Sequence, residues 1–198
     1  MKPKFPLLLF IFVLSTHAAE SACVGNCVDG TGKYYYSNGA YYEGEWKNGQ
    51  RNGGGFLYLA DGTRYSGEFD NGELNGQGTM YHNDGSWYEG EWHNGDRHGQ
   101  GKSRNARGDS YSGEWKDNTR HGQGTSTYSN GDRYVGDFKN GERDGTGTYY
   151  FKSNGYRYLG EWQKGQRHGH GKLYNKAGSL IRDGLWQNNY FKFVPQVY

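Results

Sequence analysis

The sequence is poor in the material of an ordinary globular core. Hydrophobic residues make up 32% of its 198 residues, and about half of that fraction is aromatic, so a single aliphatic interior of this size is excluded. Proline is nearly absent: Pro3, Pro6 and Pro195 stand at the two ends, and nothing between them interrupts a ladder of backbone hydrogen bonds. Charge of one sign is lacking too. With 23 basic and 21 acidic side chains, no global field draws the protein to nucleic acid. There is no Gly-x-Ser-x-Gly elbow, no phosphate-binding loop of the Gly-x4-Gly-Lys-Ser/Thr type and no His-Glu-x-x-His, which argues against an enzyme, and no cofactor motif is found.

Long apolar runs are missing except near the start. Lys2 and Lys4 precede an apolar run from Phe5 to Leu14, followed by small and polar residues to Ala22. That layout is a secretory signal peptide over residues 1–22, too short for the ~20 apolar residues that span a bilayer; the alternative is a retained N-terminal anchor. Cleavage leaves 21 basic and 20 acidic side chains. The expected location is exported: periplasm, cell envelope or extracellular. Cys23 and Cys27, the two cysteines, follow at once. An even pair in an exported chain reads as a disulfide closing a small loop, with a lipid-modified Cys23 as the rival.

What is abundant is glycine and aromatics: 35 Gly, 19 Tyr and 6 Trp. Such aromatic content is foreign to disordered segments. The residues are periodic. From Tyr42 the chain reads YEGEWKNGQRNGGGFLYLADGTR, and this 23-residue skeleton restarts at Tyr65, Tyr88, Tyr111, Tyr134 and Tyr158. A fixed period of this length means stacked supersecondary units with atypical terminal copies. One period earlier, Gly30, Gly32 and Asn38-Gly39 mark a partial repeat; the repeat from Tyr134 carries one extra residue between Thr148 and Ser153; a degenerate copy begins at Ile181. The domains are therefore 1–22, signal; 23–41, cap and partial repeat; 42–180, six repeats; and 181–198, degenerate repeat and cap.

Within a repeat the alternation is that of a strand. Period two places Tyr42, Gly44 and Trp46 on one face and both glutamates on the other, Asn48-Gly49 is a turn signal, and Gly53 to Leu59 returns as a second strand. The expected fold class is all-β: an elongated single meander of stacked antiparallel β-hairpins. Its aromatic spine comprises Tyr42, Trp46, Tyr65, Phe69, Tyr88, Trp92, Tyr111, Trp115, Tyr134, Phe138, Tyr158 and Trp162, with rings lying over the backbone of Gly53 and Gly55 and their equivalents.

The elements Tyr65-Ser66-Gly67-Glu68-Phe69, Asn71-Gly72 and Gly76-Gln77-Gly78, and their copies, resemble the MORN repeat (membrane occupation and recognition nexus), and the opening CVGNCVDGTG resembles the capped start of exported bacterial members. The resemblance implies a stack of β-hairpins acting in protein scaffolding, dimerisation and membrane association. The expected partners are thus an unidentified protein, a second copy in a homodimer, or an anionic lipid or glycan, and not nucleic acid.

Two charge ladders bear on those partners. Glu45, Glu68, Glu91, Glu114, Asp137 and Glu161 share one repeat position, and Arg51, Arg97, Arg120, Arg143 and Arg167 another, with Leu74 as the exception. They read either as a solvated face on which acid and arginine pair across each hairpin, contributing under ~1 kcal/mol per pair, or as an arginine-bearing edge for anionic head groups or glycans. His98, His121, His168 and His170 read as exposed polar side chains; two imidazoles fall short of a zinc site, and no metal ligands are assigned.

Overall fold

The structure, a computed structural model, describes residues 22–192; residues 1–21, to which the signal is assigned, and 193–198 lie outside the described residues. The described residues form one sheet of 16 antiparallel strands whose spatial order is their sequence order. β1 (Ala22–Gly25) and β2 (Gly30–Tyr35) make the opening hairpin. The six full repeats follow as β3 (Tyr41–Lys47) and β4 (Gln50–Tyr58), β5 (Arg64–Asp70) and β6 (Glu73–Tyr81), β7 (Trp87–His93) and β8 (Asp96–Arg104), β9 (Ser110–Lys116) and β10 (Thr119–Thr127), β11 (Arg133–Lys139) and β12 (Glu142–Tyr150), and β13 (Arg157–Gln163) and β14 (Gln166–Tyr174). β15 (Leu180–Gln187) and β16 (Tyr190–Phe191) close the array. At ~4.8 Å per strand the stack runs about 70 Å. No helix among the described residues is long and apolar enough to cross a membrane.

Each hairpin from β3 onward turns on two residues with positive φ, as Asn48 (49°) and Gly49 (72°) do, the geometry whose twist matches that of the strands. Asp117 and Asn118, which depart from the Asn-Gly pattern, hold the same turn at 46° and 64°, because short polar side chains tolerate this region. Residue 151 begins the one longer connection, 151–156, while Tyr150 still pairs with Arg157. The extra residue of the fifth repeat is thus absorbed in a turn and the register survives.

The rings are the core. Tyr42 stands edge-on to Trp46 of its own repeat (5.1 Å, 84°) and to Phe69 of the next (5.0 Å, 77°), and the alternation continues from Tyr65 to Trp162 and on to Trp186. Edge-to-face pairs contribute about 0.5–1.5 kcal/mol beyond area burial. All twelve spine residues expected from the sequence are buried, and Trp186 joins them. Every leading tyrosine also donates its hydroxyl to the backbone carbonyl of the acid three residues on, at 2.9–3.0 Å. Each tryptophan of the spine donates its ring N–H to a glycine carbonyl of the preceding repeat, as Trp115 does to Gly101 at 3.3 Å.

The two glycines of the second strand have different reasons. A Cβ on Gly55 would overlap the Tyr42 hydroxyl, so the ring lies directly over bare backbone there, as expected. Gly53 is not under a ring. Its φ is +69° and a Cβ would sit 2.7 Å from the Glu45 carboxylate; it belongs to a bulge in which Asn52, Gly53 and Gly54 oppose Glu45 alone, between the pairs Trp46–Arg51 and Gly44–Gly55. Bulges of this kind bend and twist the strand.

The ends are capped. Cys23 and Cys27 are joined, Cys27 packs against the core, and Asp29 accepts a hydrogen bond from the Asn48 amide of the first full hairpin. At the other end Phe191 meets Trp186 at 5.3 Å.

Two outcomes follow from the spine. Trp115→Ala should lower stability by about 3–5 kcal/mol, whereas Trp115→Phe should cost only about 1 kcal/mol, the lost bond to Gly101, because Phe69 and Phe138 occupy the same place; chemical denaturation of the two variants checks the difference. The array should also be labile to alkali. Burial raises the hydroxyls of Tyr42, Tyr88 and Tyr158 from 10.0 to about 12, with the neighbouring arginine acting in the opposite sense, and those of Tyr65, Tyr111 and Tyr134 higher still. Unfolded tyrosines release their protons first, so this stabilisation is complete below pH 10 and is lost as pH rises through about 12. Melting temperatures that stay level across that interval would refute it.

Candidate functional site

The six acids sit on the face opposite the spine, and each accepts a hydrogen bond from a backbone amide in the bulge nine residues on. Glu45 takes Gly54 at 3.0 Å, Glu68 Gln77 at 3.1 Å, Glu91 Gln100 at 2.7 Å, Glu114 Gln123 at 2.9 Å, Asp137 Thr146 at 2.6 Å and Glu161 His170 at 2.9 Å. A bulge frees an amide that the ladder no longer pairs, and a carboxylate is the strongest acceptor for it. The acid ladder is part of the hairpin.

The arginines face the other way. Arg51 pairs across the turn with Trp46, which places it on the spine face, and its guanidinium lies 5.3 Å from the Phe69 ring. Arg97 lies 4.5 Å from Trp115, Arg120 5.2 Å from Phe138, Arg143 4.4 Å from Trp162 and Arg167 4.5 Å from Trp186, each time the ring of the following repeat. The same guanidinium donates to a carbonyl at the tip of the following hairpin: Gly72, Asn118, Gly141, Gly165 and Asn189 in turn. Asn118, in place of glycine, also offers its side-chain oxygen to Arg97 Nε at 3.2 Å. Burial pushes the Arg97 and Arg167 guanidinium pKa values down from the ordinary value. Repeat two has Leu74 here, packed against the core, so the tip at Asn94-Gly95 has no guanidinium on it and is held by the hydrogen bond from the Gly95 amide to the Leu74 carbonyl and by two longer bonds between Asn75 and Asn94, at 3.3 and 3.4 Å.

The expected pairing of acid with arginine across each hairpin is therefore corrected. The ladders lie on opposite faces, and the ion pairs of lysine or arginine with a carboxylate among the described residues are Lys33–Glu43 and Lys172–Asp183. Of the turn histidines, His121 and His168 are half-buried, His98 keeps 42% of its side chain exposed beside Asp117, and His170 is exposed. Among the described residues no three His, Cys, Asp or Glu side chains cluster as metal ligands.

Two surfaces escape a reading by repeat consensus. On the outer face the register lines up Tyr35, Tyr41, Tyr58, Arg64, Tyr81, Trp87 and Arg104 in one row across successive strands, and it continues to Arg133, Tyr150, Arg157 and Tyr174. Tyr41 stacks on Tyr58 at 5.5 Å, Lys33 lies 4.1 Å from Tyr41, and Tyr81 is 49% exposed. The signal was the residue before each leading tyrosine, which the consensus leaves variable. On the spine face, the position filled by Leu57, Met80, Tyr149 and Leu173 is Ser103 in repeat three and Ser126 in repeat four. There the surface opens into a cleft of about 450 Å³ bordered by Arg97, Ser103, Trp115 and Arg120.

Comparison with known proteins completes the description. A family model described as the MORN repeat matches residues 29–41, 42–64, 65–87, 88–110, 111–133, 134–156 and 158–179. No curated protein matches the chain. Among solved structures, the G-box domain of the microcephaly protein CPAP is similar at a TM-score of 0.43 and 12% identity, over 82% of this chain and 97% of that one. The TCP10 domain of Danio rerio CPAP, in complex with a peptide of Danio rerio STIL, gives 0.25 and 15%, over 79% of this chain and 84% of that one. A mutant of that domain gives 0.24 and 15%, over 79% and 90%. Likeness at this level carries no argument about function.

The arginine geometry generates a test of its own. Replacing Arg97, Arg120 and Arg143 together by Ser should lower stability by about 0.5–2 kcal/mol per site, the range of a partly desolvated cation over a ring, while leaving the far-UV spectrum that of a β-sheet. A melting transition equal to that of the unaltered protein would show that the guanidiniums contribute nothing to stacking.

Proposed function

The chain belongs to the MORN-repeat family, and from that premise we propose that it is an exported, non-catalytic scaffold that holds a protein partner on the outer face of its sheet. The observation that carries this reading is the exposed aromatic row. The spine face is filled by its own rings and arginines, whereas Tyr35, Tyr81 and Tyr150 remain between 40% and 49% exposed on a rigid sheet. Exposed aromatics rimmed by arginine are the residues that dominate protein interfaces. Export draws support from the basic and apolar opening residues and from the Cys23–Cys27 bond, which persists in oxidising compartments.

The second reading, an arginine edge that binds anionic phospholipid or glycan, has less behind it. Arg51, Arg97, Arg120, Arg143 and Arg167 are each engaged by a ring and a carbonyl, and a flat lipid surface would have to compete with both, so donors that the guanidiniums keep to spare are open to a ligand seated beside them and not to an edge-on membrane.

Immobilised protein should retain a specific partner from an envelope or extracellular fraction, and the complex should persist at high salt. Tyr35→Ser with Tyr81→Ser should weaken it at least about tenfold, or 1.4 kcal/mol, with the melting transition unchanged. Retention that collapses with salt and transfers to phosphatidylserine vesicles would overturn the scaffold reading in favour of the arginine edge.

A further inference from the structure

The middle of the array is not equivalent to its ends. In repeats one, two, five and six, Leu57, Met80, Tyr149 and Leu173 pack against the spine; in repeats three and four serine takes the position and leaves a depression above rings that themselves stay buried. The result is two adjoining hollows. One, of about 450 Å³, lies over Tyr111 and Trp115; the other, of about 380 Å³, lies over Tyr88 and Trp92, and both are bordered by Arg97, Ser103, Asn105 and Asn118. Each is of the size that holds a small ligand, and together they span two repeats, about 19 Å of sheet.

Their chemistry is specific. A half-buried ring stands in each, Tyr128 in the larger and Trp87 in the smaller. Arg120 is fixed by its bonds to Ser126 Oγ (3.2 Å) and to the Gly141 carbonyl, and Arg97 by Asn118. Neither guanidinium forms an ion pair with a carboxylate among the described residues. Opposite them Asp109 is held by Asn105 Nδ2 (3.0 Å) and the Ser129 amide (2.7 Å), which keep its carboxyl below the usual range. The site thus offers the half-buried rings of Tyr128 and Trp87 for C–H groups, hydroxyl, amide and carboxylate partners for alcohols, and a surplus of positive charge, Arg97, Arg104 and Arg120 standing against Asp109. A purely apolar chain finds no apolar slot here. A peptide finds no free strand edge, because the clefts lie on the face of the sheet. A dianion meets Asp109.

We propose that repeats three and four bind an acidic oligosaccharide, with a pyranose ring bearing a single carboxylate seated in each hollow. The carboxylate is taken by Arg97 or Arg120, the hydroxyls by Ser103, Asn105 and Asp109, and the carbon face of the sugar by the rings of Tyr128 and Trp87. The scaffold reading stands on the exposed row through Tyr35, Tyr81 and Tyr150, whose rings and arginines meet these hollows only at Trp87 and Arg104.

The test fills the hollows with what the array itself uses elsewhere. Oligogalacturonate and hyaluronan oligosaccharides are titrated calorimetrically against the full chain at low salt, beside uncharged maltohexaose, inorganic phosphate and phosphatidylserine vesicles. At least one of the two uronate probes should bind, and Ser103→Leu with Ser126→Leu should weaken it about tenfold or more while the melting transition holds or rises. Asn105→Ala, outside the spine, should weaken it several-fold and serves if the double variant fails to fold. Absence of uronate binding, equal binding of maltohexaose, binding confined to phosphate or vesicles, or unchanged affinity in a folded variant would each overturn the proposal. The partner interaction lost with Tyr35 and Tyr81, which border neither hollow, should be indifferent to all of these changes, so the two readings fail separately.

Discussion

Everything in this array depends on one tyrosine per repeat, wedged edge-on between two aromatic rings with its hydroxyl on a backbone carbonyl. The ring on its own repeat and the ring on the next are at nearly equal distances, 5.1 and 5.0 Å for Tyr42, so no hairpin can complete its interior alone. The glycines follow from this, since Gly44 and Gly55 must be bare for the ring to lie on the sheet. So does the bulge at Gly53, which twists the second strand, and so does the acid that binds the amide the bulge sets free. A fold of this kind has nearest-neighbour energetics, and a two-stranded unit that would be marginal by itself becomes stable only in company.

Much of this was legible in the sequence, and the limits of what was legible are physical. The period, the hairpins, the twelve spine residues and the cysteine pair could be read because alternation and turn chemistry are local, and locality is what a repeat makes visible. The charge ladders were misread although alternation puts Glu45 on the outer face and counting by twos from Trp46 through a two-residue turn puts Arg51 on the spine face. What the sequence hides is the acid's partner nine residues away, reached only when three residues oppose one. His98 stands at the entrance to the same irregularity, opposite Glu91. The clefts were visible as Ser103 and Ser126 in a column of large side chains. A search for consensus passes over them because it weighs what repeats share.

Separation of the two faces has a functional reading. The spine face supplies cohesion, and its rings and guanidiniums are spent on neighbouring repeats except where serine leaves a gap. The outer face carries only the acids as structural side chains, and these lie near the bulges, at a distance from the row that runs through Tyr41, Tyr81 and Trp87. That row is free to vary without cost to stacking. In such a chain, surface chemistry and stability are encoded at different positions of the same 23-residue period, which is how an array of near-identical units can present one part of its length as distinct from the rest.

Leu74 gives the stack a mechanical character. Five of the six links between successive hairpin tips are tied by an arginine that reaches from one repeat to a carbonyl of the next; the link to Gly95 has, beside the backbone bond, only the long neutral bonds of Asn75 to Asn94. Along a beam held by cross-ties, bending concentrates at the weakest of them. The first two repeats with their disulfide-closed end form one segment, the remaining four with the clefts form another, and the softest joint of the beam lies between them.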